Sequence, residues 1–524
     1  MADVTSRLLA VLLASSSLGL GAPAVAAAAP SVRAVVTVRP GATLPATIPG
    51  GRVLARFPYV GAELVSAPAA SLRALGADPR VAGVSPDRHG RVAGDDVGNG
   101  DGSTDGVLAA KAVGGDAGKA DTGRGVNVAL LDTGVSDTAA LSRDSGRITD
   151  GVDVSQLSKG GEAKTAGQFT DGYGHGTFMA SLIAGGRVKG SGSRAIGVAP
   201  AARIVVVKVA DSAGNTSLAE VLAGLDWVAA HARAIQVVNL SLSVDRPTAP
   251  AYGADPLTAA VEHVRAAGVV VVAAAGNVAG QVGDPGLDPQ SLTVGAADAQ
   301  RRVTSFSGSG IVTGVSKPDV VAPGLHVLGM LTADSAVAKA NPQGWAEAGL
   351  FKGSGTSEAT AVTSGVAAAY LSDHPGADPL QVKSAVRSAA DPVRDSRAGA
   401  GFVSIPKRVV PGSAGAAGES GFDAATWSTN TWTGVPGWQS QLASMWSGSA
   451  WTAATWSAAT WSAATWSGSA WTAATWSAAT WSAATWSAAT WSGSAWTAAT
   501  WSAATWSAAT WSAATWSDYG WGDA

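Results

Sequence analysis

From about residue 124 to 390 the chain alternates between short, largely apolar runs and longer stretches that carry helix-start signals. Val126 to Leu131, Ile204 to Val209, Val237 to Leu242 and Val269 to Ala274 are the apolar runs, each of strand length. Between them, Ser217-Leu218-Ala219-Glu220 reads as a capping box, in which the Ser and Glu side chains satisfy backbone donors at a helix start; its helix should run to about Ala232. Asp255-Pro256 supplies an N-cap with proline at the first helical position, and Gly268 ends that helix. Asp378-Pro379 opens a later helix in the same way. Strands without polar alternation are buried on both faces, so the pattern predicts an α/β fold, a parallel sheet flanked by helices. Ligand sites in such sheets lie at the carboxyl ends of strands. Asp132 follows one apolar run and Asn277 closely follows another.

The whole chain has 524 residues, too many for one ordinary domain. Its 35 basic and 38 acidic residues nearly balance, and no basic stripe marks a nucleic-acid partner. The absence of cysteine excludes disulfides, thiolate metal sites and a thiol nucleophile. At the N-terminus Arg7 precedes the apolar stretch Leu8 to Leu13, and Ala24 and Ala26 form the small pair of a signal-peptidase site. The apolar segment is too short to span a bilayer and runs into Ser15-Ser16-Ser17. Residues 1–28 therefore read as an export signal, and the product is expected to be secreted and extracellular. In residues 33–91, Val35 to Val38 reads as a strand, Ala69 to Leu75 as a short helix, and Asp78-Pro79 as a turn before a second strand through Val84. Residues 96–118, rich in Gly and Asp, look like an exposed linker, where proteolytic nicking concentrates.

Three segments then supply chemistry in one order: Leu130-Leu131-Asp132-Thr133-Gly134, Gly174-His175-Gly176-Thr177 and Gly353-Ser354-Gly355-Thr356-Ser357. A serine hydroxyl becomes a competent nucleophile when a His takes its proton and a buried Asp orients that His. His175 precedes an expected helix from Thr177 to Ala184, and Ser357 precedes another running through Tyr370. Helix starts offer free backbone donors that stabilise developing negative charge. Taken singly, each segment also reads as a plain loop, and Asp-Thr-Gly also marks aspartic proteases. That chemistry needs two such loops, each after an apolar strand; Asp121-Thr122-Gly123 and Asp144-Ser145-Gly146 follow none.

Over about residues 120 to 390 the chain resembles the subtilisin-like serine proteases. The resemblance lies in the three segments above, in Ala273-Ala274-Ala275-Gly276-Asn277, and in Gly197-Val198-Ala199-Pro200, Val238-Asn239-Leu240-Ser241-Leu242 and Lys317-Pro318-Asp319-Val320-Val321-Ala322-Pro323-Gly324. It implies a three-layer subtilisin-like fold over 119–410 and a serine endopeptidase. Asp132, His175 and Ser357 would be catalytic, Asn277 would donate to the oxyanion, and Ser241, Leu242 and Ser243 would line a cleft where a protein or peptide substrate pairs as an added strand. Residues 29–95 resemble the family's inhibitory pro-domain, a small α+β unit whose implied self-cleavage falls between 92 and 118; Pro45 and Gly50-Gly51 interrupt its first helix. The chemistry requires no cofactor. Family members often carry structural calcium, but no acidic cluster in the sequence names its ligands. Three departures from the family pattern stand out: Ala361 in place of Pro, Ser243 in place of Gly at the cleft wall, and Glu358 in place of Met beside the nucleophile. Glu358 would either be a solvated or cation-paired carboxylate, or would favour protonated His175 and move activity to higher pH.

Residues 411–524 are different in kind. No Lys or Arg follows Arg408, 19 of the 21 tryptophans lie from Trp427 onward, and from Trp446 to Trp521 one falls at every fifth position. Five residues advance a helix by about 500°, and an odd period alternates faces in a strand, so neither element gathers the tryptophans on one side. Low-complexity chain, a solenoid with five residues per side, a bilayer-interface anchor and a platform for cell-wall sugars all remain open. A near-uncharged aromatic tail is expected to bind a surface or itself. The competing reading of the whole chain is a surface-binding or self-assembling protein whose protease-like domain is a scaffold.

Overall fold

The computed structural model describes residues 30–92 and 106–406, except 115, 190–194, 246–254 and 313, together with short strands between 451 and 511. The expected signal at 1–28 lies outside the described residues.

Seven parallel strands form the central sheet, in the order Val320–Pro323, Leu292–Ala297, Val270–Ala274, Val237–Leu240, Asn127–Asp132, Arg203–Lys208, Ile148–Asp153. Alternate residues of these strands enter two cores. Val128, Leu130, Ile204, Val206, Val270 and Val272 pack with helices His175–Ala184 and Thr356–Asp373. Ala129, Leu131, Val207, Val238, Val271 and Ala273 pack with helices Leu218–Ala230 and Pro256–Ala266 on the opposite face. Burial on both faces is why the strands read as continuous apolar runs, and the layers are helix, sheet, helix.

The caps act largely as their sequences predict. Asp255 accepts from Leu257 N and Thr258 N, and Asp378 forms a reciprocal capping box with Gln381. Ser217 accepts from Glu220 N at 3.4 Å, but the Glu220 carboxylate serves a distant loop, taking the N–H of Ser158 at 2.9 Å. That helix ends at Ala230, a little before the expected Ala232.

Two expectations are corrected. The run Val237 to Leu242 is not one strand: Val237–Leu240 stays in the main sheet, while Leu242–Val244 joins a separate three-stranded sheet. The break falls at Ser241. Second, the end of the supposed linker is not exposed. Ala109, Ala110, Val113 and Ala117 are buried in the core, and Val107 bridges to Val327.

Ahead of this unit, residues 31–86 form a five-stranded antiparallel sheet with one helix, Ala69–Leu75. Strands Thr47–Ile48 and Gly51–Phe57 occupy the region that Pro45 and Gly50-Gly51 interrupt. In the tail, short strands pair in parallel and in register: Trp451 opposite Trp471 and Trp461 opposite Trp481, four five-residue units apart, then Trp471 opposite Trp496, five units apart.

Candidate active site

Asp132 is the last residue of an interior strand, so its carboxylate stands at the carboxyl edge of the sheet, where the side chain is buried. His175 does not precede its helix but is its first residue, and Ser357 is the second residue of the helix Thr356–Asp373. The two helices pack on the same face of the sheet and bring both side chains toward Asp132. His175 Nδ1 lies 2.8 and 2.9 Å from the two Asp132 oxygens. Such a pair leaves Nε2 as the basic nitrogen. Nε2 is buried and has no hydrogen-bond partner among the described residues. Ser357 Oγ donates to the Ser241 carbonyl at 3.2 Å. Catalytic hydrogen bonds commonly tighten only when substrate is bound.

Glycine makes this approach possible. A Cβ at Gly176 would overlap the Gly134 carbonyl, and Gly134 itself sits at φ 106 with the Thr170 carbonyl 2.5 Å from where its Cβ would be. Gly176 thus lets the helix start close on the strand end, and Gly134 lets the turn after Asp132 pass the Phe169 and Thr170 carbonyls.

Asn277, three residues past the Val270–Ala274 strand, accepts at Oδ1 from Thr356 N and Thr356 Oγ1, both at 2.9 Å. This orients the amide and leaves its NH2 as the donor end. Ser241 Oγ donates to the Ser357 carbonyl at 3.0 Å and accepts from Asn239 Nδ2 at 2.9 Å; Ser364 donates in turn to Asn239 at 2.8 Å. The break in the strand at Ser241 lets one residue address both the backbone and the hydroxyl of Ser357. Leu242 and Ser243 follow on the short strand, where Ser243 Oγ faces Gly283.

Burial acts against a charged His175, but the charge and hydrogen bond of Asp132, then the charges of Glu358 and Asp171, outweigh it and hold the imidazole up at about 9. Glu358 is buried, which removes the solvated alternative. A Cβ at Gly353 would come within 2.5 Å of Glu358 Oε1, so the glycine leaves the carboxylate its place.

Two supporting residues escaped the sequence reading. Asp171 Oδ1 accepts from Tyr173 N and Gly174 N, and its Oδ2 from Thr177 N and Thr177 Oγ1, at 2.7 to 3.0 Å, fastening the helix start that bears His175. An Asp two to six residues before that turn was the available signal. Lys208 Nζ donates to the Thr133 and Thr170 carbonyls, both at 2.7 Å, tying the Asp132 turn to the Asp171 loop. Nothing local in sequence marks that role. Among the described residues no group of three or more His, Cys, Asp or Glu is gathered to hold a cation.

The strand His89–Val92 lies between Asn215–Ser217 and Leu242–Val244, antiparallel to both, with Leu242 opposite Val92 and Ser243 opposite Arg91. Residues 123–403 match the sequence profile described as the Subtilase family. The chain belongs to the subtilase family. Serine protease AprX of Bacillus subtilis (strain 168) is 33% identical over 313 residues, covering 56% of this chain and 67% of AprX. M-protease of Shouchella clausii (strain KSM-K16) is 32% identical over 274 residues, covering 51% of this chain and 60% of its own length. The chain thus spans about two thirds or less of these two relatives. A crystal structure of a cold adapted subtilisin-like serine proteinase aligns with 58% of this subtilase and 99% of its own chain, at 26% identity and a TM-score of 0.45.

Proposed function

We propose that this subtilase is a secreted serine endopeptidase, self-processed from a zymogen. The observation that carries the reading is the buried His175–Asp132 pair at 2.8 Å beside a helix start bearing Ser357. Ser357 Oγ attacks the scissile carbonyl carbon as His175 Nε2 takes its proton, and Asp132 stabilises the imidazolium. The oxyanion accepts from Asn277 Nδ2 and the Ser357 N–H. The carbonyl re-forms, the C–N bond breaks, and His175 gives the proton to the departing amine. Water then hydrolyses the acyl-enzyme by the same relay. Removing the Asn277 donor lowers turnover about 100- to 1000-fold, a magnitude carried over from subtilisin itself.

Ser241, Leu242 and Ser243 form the cleft wall that pairs with substrate. Residues 29–95 act as pro-domain and inhibitor, a role supported by His89–Val92 lying as a strand against that wall. Asp87 adds to the hold, accepting from Ala219 N at the start of the Leu218–Ala230 helix at 2.9 Å. The Trp-rich tail binds a cell surface or itself, a reading supported by the in-register parallel pairing of its short strands between 451 and 511.

The decisive experiment is stoichiometric labelling of Ser357 by an organophosphonate in the processed protein. Labelling that vanishes in His175→Ala is expected. No labelling after the pro-segment has left would make the domain a scaffold and the protein a surface-binding one.

A further inference from the structure

Directly ahead of the cleft-lying strand, Arg88 buries its guanidinium among groups that the hydrolytic relay does not use. Nη1 donates to Asp284 Oδ2 at 3.2 Å and to the Asp245 carbonyl at 2.9 Å, and Nη2 donates to Asp255 Oδ1. Side-chain exposure is 6% for Arg88, 8% for Asp255 and 0% for Asp284. Asp255 is held in place by capping the helix Pro256–Ala266 with its other oxygen. Asp284 Oδ1 is buried without a hydrogen-bond partner among the described residues. Three acceptors on three separate residues converge on one planar fork. That is the geometry of guanidinium recognition rather than of a point-charge ammonium.

The ownership of these groups matters. Asp245, Asp255 and Asp284 belong to the peptidase, within residues 123–403, whereas Arg88 belongs to the segment that the zymogen reading removes. When that segment leaves, two buried carboxylates lose their cation, and a buried carboxylate without a cation is strongly disfavoured. The register tells where a replacement would come from. Val92 faces Leu242, and Ser241, one residue back along the wall, offers its carbonyl to Ser357 Oγ. The next residue in the sequence is Ala93, so the zymogen reading takes Ala93 as the acyl donor and Ala93–Gly94 as the bond cleaved in self-processing.

We propose that Asp255, Asp284 and the Asp245 carbonyl form an arginine-recognition subsite of the mature enzyme, reading a guanidinium five residues ahead of the residue that donates the scissile carbonyl. The proposal rests on the zymogen reading above. The preferred substrates are then peptides with arginine at that distance from the cut, and the enzyme's own processing segment is the first of them.

The test uses the full-length secreted protein after its own maturation. Two synthetic peptides are compared: the sequence of residues 86–98, and the same peptide with citrulline, the neutral isostere, at the Arg88 position. Product masses give the bond cut, and kcat/KM gives the selectivity. Cleavage after the alanine that corresponds to Ala93 is expected, with citrulline lowering kcat/KM about tenfold or more. In Asp284→Asn that ratio should fall toward one. Equal kcat/KM for the two peptides on the unaltered enzyme overturns the subsite, while cleavage after the alanine leaves the zymogen reading standing. Cleavage at another bond, or none, brings down the register and the zymogen reading with it. The peptide pair is read on the unaltered enzyme, so poor folding of Asp284→Asn does not shield the proposal.

Discussion

At the scale of single residues, the buried carboxylate of Glu358 is the feature that most separates this site from its family pattern. In the proposed mechanism His175 works as a base only when neutral, so each negative charge that stabilises its imidazolium moves the acidic limb of kcat/KM upward. With His175 held up at about 9, that limb should lie well to the alkaline side of an ordinary histidine. Glu358→Gln removes one of the charges that raise it, so the limb should move to lower pH. The size of the step is on the order of one unit or less, since Asp132 contributes more than Glu358. A pH profile of kcat/KM on a small peptide checks this, and an unmoved limb refutes the electrostatic role. The identity of Glu358 was plain in sequence; its burial was not, because burial depends on Gly353, which reaches it from a different element, the Phe351–Gly353 strand.

At the scale of elements, the site is a set of helix starts and strand ends held by short-range caps. Asp171 accepts four hydrogen bonds around the start of the His175 helix, two from Tyr173 and Gly174 just before it and two from Thr177 in its first turn, and its side chain is buried. Asp171→Ala should cost about 2 kcal/mol or more, at the upper end of cap deletions, because buried donors are left unpaired. For a unit of this size that corresponds to a fall in Tm of roughly 5 °C. A thermal melt checks the loss, and an unchanged Tm would show that the helix start is held by packing alone. The caps at Asp255 and Asp378 were legible because a cap is a pattern within four residues. The break at Ser241 was not legible. Local apolarity favours one continuous strand from Val237 to Leu242, and the division comes from a pairing partner, His89–Val92, some 150 residues earlier in the chain.

At the scale of the whole molecule, distant segments converge on buried charges. Asp319, at the edge of the sheet, takes Lys317 Nζ at 2.8 Å and Lys383 Nζ at 2.9 Å; both ammoniums also reach the Ser291 carbonyl. The cluster ties the Pro379–Ser388 helix to the sheet, and burial pulls Lys317 down to about 7. Asp319→Asn would take the nearest counter-charge from Lys317 and Lys383, push Lys317 further toward its neutral form, and should destabilise by about 3 to 5 kcal/mol, read as a lowered denaturation midpoint; a wild-type midpoint would show that the carbonyls alone suffice. The tail yields a separate expectation. Deleting residues 420–524 should raise solubility and shift the protein from the cell-associated to the soluble fraction, as loss of an aromatic, near-uncharged surface predicts. Equal solubility and equal distribution would remove the binding role.

The sequence by itself determined the class of sheet and most helix starts, and through its resemblance to the subtilases it named Asp132, His175, Ser357 and Asn277 as the candidate site. The first two rest on periodicity and on caps, which act over a few neighbouring residues. Tertiary structure alone decided that Glu358 is buried, that Ser357 Oγ turns to the Ser241 carbonyl, and that Arg88 meets Asp284 across 196 positions. The last two are interactions between groups that the chain separates widely, and the first depends on how the Phe351–Gly353 strand packs. Their strength depends on the water excluded around them, and no local pattern encodes that.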